Sequence, residues 1–114
     1  MRSTIKLLNI AANLATKKND DRRFLLGAIG IRADGAIVTA CNGNPKFPTP
    51  EHHCEYRLCR KLDRGATVFL ARVLASGAWA NSAPCRACRS RLKASQVRVV
   101  YYTLGVNEWG TLYP

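Results

Sequence analysis

The chain has 114 residues, which is room for one domain and only a small core. Hydrophobic residues make up 47% of it and charged residues 22%, which excludes a wholly disordered chain, and no apolar run approaches the roughly 20 residues that span a bilayer. Eighteen Lys and Arg against seven Asp and Glu give a net charge of +11, so either polyanionic partners or a merely solvated basic surface must account for it.

Asn9 and Asn13 break the apolar residues that follow the N-terminus, and no small-residue cleavage site is evident, so no signal peptide is read. Five Cys, an odd number, in a chain without an export signal point to metal or catalytic roles in the cytoplasm rather than to disulfides.

Ile5, Leu8, Ala12 and Ala15 recur at helical spacing, with Leu7, Ala11 and Leu14 beside them, and predict an amphipathic helix from Thr4 to Lys17. Phe24 to Arg32 reads as a buried strand, Asp34-Gly35 as a hairpin turn and Ala36 to Cys41 as the returning strand. Asn42 to Pro50 is a loop. Thr49 as N-cap, Pro50 at the first helical position and Glu51 in the first turn predict a second helix running to Arg64 and stopping at Gly65. Ala66 to Leu74 is a strand. Ser82-Ala83-Pro84 opens a third helix, which ends near Ser95, and Val97 to Thr103 is a further strand. The tail from Leu104 has turn signals at Gly105 and Gly110 and is long enough only for a hairpin. Strand and helix alternate in the second half, which favours parallel neighbours. The expected architecture is α/β: a three-layer α/β/α sandwich around one mixed sheet, formed by residues 1–114 as a single domain.

Two short segments carry chemistry. His53-Cys54-Glu55 stands at the start of one expected helix and Pro84-Cys85-Arg86-Ala87-Cys88 at the start of another. Cys85 and Cys88 are three residues apart, so both thiols face one side of a helical first turn. Two thiolates and one imidazole form a three-ligand site that suits Zn2+ and leaves a fourth position for water. Helix N-termini stabilise the thiolates electrostatically.

The paired motif resembles that of the zinc-dependent nucleobase deaminases, the cytidine deaminase superfamily: His-x-Glu followed by Pro-Cys-x-x-Cys. The resemblance covers roughly Arg23 to Tyr102, where the order of strands and helices also agrees. It implies that His53, Cys85 and Cys88 bind zinc and that Glu55, not a ligand, moves protons between the attacking water, the ring nitrogen and the leaving amine. It further implies a small-molecule nucleoside or nucleotide substrate carrying cytosine, and assembly into a homo-oligomer. Asn42, at the end of the second strand, matches an Asn that holds the sugar in the family; by its own chemistry Asn42-Gly43 reads first as a turn. The stretch Cys41-Asn42-Gly43-Asn44 lacks the Glu of the free-nucleoside enzymes.

Arg86, inside the second motif, is a candidate for a substrate phosphate. Tyr102 and Trp109 flank the last clear strand, where a base could stack, with core packing as the other fate of such rings. The short tail favours a free nucleoside, and the +11 charge favours single-stranded DNA or RNA as the alternative substrate. A rival reading is a nucleic-acid-binding module with a structural zinc closed by His52, Cys54, Cys85 and Cys88. Otherwise Cys41, Cys54 and Cys59 read as core thiols and His52 as an exposed first-turn residue.

Overall fold

Residues 3–16, 24–41, 53–74 and 76–114 are described by the computed structural model. In chain order they form α1 (Thr4–Thr16), β1 (Phe24–Ile31), β2 (Ile37–Cys41), α2 (Cys54–Cys59), β3 (Thr67–Leu74), β4 (Trp79–Ala80), α3 (Arg86–Ala94), β5 (Val99–Gly105) and β6 (Glu108–Leu112). One mixed sheet has the order β2-β1-β3-β5-β6, with β4 paired to β3. The β1 strand is antiparallel to both β2 and β3, β3 is parallel to β5, and β6 folds back antiparallel on β5. The parallel pair is the one the strand-helix-strand alternation calls for. No helix among the described residues is long and apolar enough to cross a membrane.

Side-chain alternation along the strands sorts two cores to opposite faces. On one face α1 buries Leu7, Leu8, Ala11, Ala12 and Ala15 against Ile29, Phe69, Ala71 and Val73. Phe69 stacks on Tyr101 there, with ring centroids 5.3 Å apart. On the other face Cys54, Leu58 and Cys59 of α2 and Leu92 of α3 meet Ala28, Val68, Leu70 and Val100. This is the expected α/β/α sandwich. Gly27 sets how closely its first layer sits. A Cβ at that position would run into the Ala11 carbonyl oxygen and come within 2.8 Å of the Ala15 nitrogen, so α1 lies directly on the β1 backbone.

Three expectations are corrected. The second helix is confined to Cys54–Cys59 and does not reach Arg64. Tertiary bonds to the β1–β2 hairpin draw the chain out of helix: Arg32 Nη1 donates to the Lys61 carbonyl (2.9 Å), Lys61 Nζ to the Thr39 carbonyl (2.6 Å), and the Ala33 N–H to Asp63 Oδ1 (2.8 Å). The Thr49, Pro50 and Glu51 start signals lie outside the described residues. The third helix begins at Arg86 with Cys85 as N-cap, because Ser82 turns its hydroxyl into the sheet instead of capping. Gly110 is a strand residue, not a turn: a Cβ there would come within 2.6 Å of the Tyr102 ring. The hairpin turn falls at Val106-Asn107, with Asn107 at φ 57°.

Candidate metal and active site

The site lies between the starts of α2 and α3. His53 is the N-cap of α2 and Cys85 the N-cap of α3. Cys88 follows one turn into α3, and its backbone N–H donates to the Cys85 sulfur at 3.5 Å. His53 Nδ1 is 3.1 Å from Cys88 Sγ and 3.8 Å from Cys85 Sγ. The three ligand atoms all lie within 4.8 Å of one another. Ligands at 2.0–2.3 Å around a tetrahedral zinc sit about 3.5–4 Å apart, so this donor set fits zinc in both chemistry and spacing.

Glu55 occupies the first turn of α2, only 5% exposed. Burial raises its pKa above the ordinary carboxylate value, and hydrogen bonding, including to the Cys88 side chain, opposes that rise only in part. Its Oε1 is buried with no hydrogen-bond partner. An unsatisfied acceptor beside three convergent donors of metal type marks a place where a bound water or substrate would complete the network. The Cys88 thiol is held well above its usual range, first by burial and then by the Glu55 charge, in the metal-free chain. A bound cation reverses that preference and deprotonates a coordinating thiol.

A cavity of about 220 Å³ opens over these groups, with His53, Glu55 and Cys85 in one wall and Arg72, Asn81 and Ser82 in the others. The last three escape the sequence reading. Ser82 precedes the Pro-Cys motif by two residues, a usable local signal, whereas Arg72 reaches the cavity only through the pairing of β3 with β4. Beneath the cavity Ser82 and Thr103 form a buried polar clasp. The Thr103 hydroxyl donates to the Ala80 carbonyl (2.7 Å) and accepts the Arg72 N–H (3.1 Å), with Ser82 Oγ at 2.9 Å. Ser82 donates to the Leu70 carbonyl (3.1 Å). The clasp fills the place where direct β3–β5 pairing stops, beyond Leu70 and Tyr102, and fixes the segment that leads into Cys85.

The remaining sequence candidates are distributed differently. Asn42 and His52 lie outside the described residues. Arg86 is exposed on α3, Tyr102 packs into the α2–α3 core, and Trp109 pairs with Thr103 at 41% exposure; none of these three lines the cavity. Cys54 is fully buried and donates to the Ala40 carbonyl (3.3 Å), away from the cluster. The closed His52/Cys54/Cys85/Cys88 set is therefore not assembled, because a helix turns Cys54 to the sheet when it presents His53 to the cavity. Cys59 is a core thiol as expected.

The model of the cytidine and deoxycytidylate deaminase zinc-binding region matches residues 1–104. The chain belongs to this deaminase family. It is thus a member of a zinc-binding hydrolase family, and the His53/Cys85/Cys88 cluster fits that cofactor. Among solved structures, a cytidine deaminase from Burkholderia pseudomallei is similar at 20% identity and a TM-score of 0.68, over 98% of this chain and 93% of that one. A cytidine deaminase from Mycobacterium tuberculosis is similar at 22% identity and a TM-score of 0.60, over 93% and 90% of the two chains. A point mutant of the Mycobacterium tuberculosis enzyme gives 22% and 0.57, over 93% and 91%. At these identities the likeness is one of fold. No curated protein matches the sequence.

Proposed function

We propose that the chain is a hydrolytic deaminase that converts a cytosine base, presented as free cytidine, deoxycytidine or their nucleotide, to uracil with release of ammonia. In this reading His53, Cys85 and Cys88 hold the zinc and Glu55 is the catalytic acid and base. One observation carries it: a buried carboxylate with an unpartnered oxygen shares the cavity with the metal cluster. Zinc, when bound, polarises a water and lowers its pKa toward neutrality. Glu55 would accept a proton from the attacking water as the water oxygen adds to C4, and would deliver that proton to N3. A second proton passes through the same carboxylate to the exocyclic amine, which leaves as ammonia while the C4 carbonyl forms. A carboxyl whose pKa burial has raised is suited to both halves of this transfer.

The cavity volume lies below the roughly 300–1,000 Å³ of drug-sized pockets, which suits a small ring as the buried part of the ligand. The antiparallel β5–β6 hairpin that ends the sheet supports a free nucleoside or nucleotide over a polymeric substrate. Similarity to cytidine deaminases of solved structure supports cytosine over adenine.

Zinc-loaded protein and its Glu55→Ala variant, offered cytidine, deoxycytidine, their monophosphates and adenosine, test this by mass. A one-unit gain in product mass on a cytosine substrate, lost in the variant with zinc retained, is expected. No product from any compound by zinc-loaded wild-type protein would overturn the reading.

A further inference from the structure

We propose that the outer surface of the α2–α3 layer is a binding site for the phosphodiester backbone of nucleic acid. The distribution of charge, rather than its total, carries this. From Arg64 through Asn107 the sequence has no Asp or Glu and seven Lys and Arg. Two helices lie side by side on one face of the sheet, and they and the turn that follows α2 display the exposed cations Arg60, Arg64, Arg86, Arg89, Arg91 and Lys93. Arg91 reaches from α3 over the Tyr56 ring of α2, 5.9 Å from its centroid, so the positive surface continues across the seam between the helices. The two acids among the described residues of this layer do not offset it. Glu55 is buried, and Asp63 is turned to the β1–β2 hairpin, where it accepts the Ala33 N–H and lies 3.9 Å from Arg32 Nε.

The α3 helix spaces its charges for a repeating anion. Arg86, Arg89 and Lys93 stand three and four residues apart along one face, beside the stripe that buries Cys88 and Leu92. The seven-residue rise from Arg86 to Lys93 is about 10 Å. Cations spread over that length can meet more than one phosphate of the same strand. Five of the six cations are Arg, whose planar fork grips a phosphate through two hydrogen bonds. The outward positions of α3 are otherwise Ala87, Ser90 and Ala94. Among the described residues of this layer no large apolar side chain is exposed that would enter a lipid surface, so charge complementarity favours nucleic acid over a membrane.

Oligothymidylate separates this surface from the catalytic cavity, because thymine carries no exocyclic amine to be removed. The readout contains no turnover, so failure of the deamination reading leaves it untouched. A fluorescein-labelled 20-nucleotide oligothymidylate is titrated with zinc-loaded protein and followed by anisotropy. About four phosphate contacts on a single strand give a slope of log K against log salt near −3, so affinity falls about fifty-fold between 50 and 200 mM salt. Arg89→Ala/Lys93→Ala lowers the slope by about 1.4, and Arg60→Ala/Arg64→Ala does the same from the α2 side. Circular dichroism and zinc content identical to wild type establish that each variant is folded. Three results would overturn the proposal: no binding at 50 mM salt up to about 100 μM protein, both double variants binding as wild type does, or displacement of the oligonucleotide by phosphatidylserine vesicles or polyglutamate at equal charge concentration.

Discussion

The Ser82–Thr103 clasp is the structural premise of the site, and Thr103→Val tests it with little change of shape. The substitution removes one hydroxyl from a fully buried position. The Arg72 N–H then loses its acceptor and the Ala80 carbonyl its donor, both part-buried beside the cavity. Stranding a donor or acceptor costs roughly 1–3 kcal/mol when it is buried and less when water can reach it, and the added methyl recovers part of the loss, so a net loss of about 1–3 kcal/mol is expected. Thr103→Ser keeps the hydroxyl and deletes one methyl, for about 1 kcal/mol. Urea unfolding of both variants at a fixed, buffered free-zinc concentration measures the difference, since zinc binding adds to apparent stability. The clasp also fixes the strand that delivers Cys85, so chelator competition should show weaker zinc binding in Thr103→Val and little change in Thr103→Ser. Thr103→Val within about 0.5 kcal/mol of wild type, or Thr103→Ser the more damaged of the two, would refute the argument.

Gly27→Ala should destabilise by about 3 kcal/mol, since the new methyl meets the Ala11 carbonyl and the Ala15 nitrogen, helix backbone that gives only if α1 lifts as a whole; thermal melting reads this out, and an unshifted midpoint would contradict the close approach. Leu58→Ala, fully buried in the core under α2 and α3, should cost about 2–5 kcal/mol in the same assay. Zinc affinity should rise with pH. The Cys88 thiol, raised by burial, holds its proton through the neutral range in the metal-free chain, so binding must release it, and affinity changes by about tenfold per pH unit for each proton released. Chelator competition from pH 6 to 8 that gave a flat line would count against Cys88 as a ligand. Withdrawing zinc should lower the melting temperature, because zinc at a thousand times its Kd contributes about 4 kcal/mol to the folded state.

Local chemistry was legible and long-range chemistry was not. The amphipathic period of α1 predicts a helix that the structure describes over Thr4–Thr16, with its expected last residue, Lys17, outside the described residues. The His53-x-Glu55 and Cys85-x-x-Cys88 spacings announced a cluster because each half is set by one helical turn. The end of α2 misled, since the hydrogen bonds that stop it come from Arg32 and Thr39, more than 20 residues away along the chain. Ser82 misled for a related reason: Ser-Ala-Pro reads as a helix start, but the unpaired edges of β3 and β5 compete for the same hydroxyl and win. Arg72 gave no local signal, since it is the pairing of β3 with β4 that brings this end of β3 to the cavity wall. Gly110 suggested a turn, and the reason for glycine there is the Tyr102 ring one strand away.

The costs in this structure are concentrated in one place. Both cores are apolar and well buried, while at the site a carboxylate is buried with an unpartnered oxygen, a thiol is forced to keep its proton, and two cysteines and a histidine crowd together. A buried polar group without a partner is expensive, and an isolated buried carboxylate responds by a raised pKa, as Glu55 does. Packing offers nothing in return, because Glu55 lies beside Cys54 and Leu58, on a helix whose remaining inward residues would serve equally well around an apolar side chain. Local rules broken together at one point are what a reaction site requires of a fold. Binding a divalent metal relieves two of the costs at once, since it supplies the counter-charge that the thiolates need and brings a water within reach of the stranded oxygen.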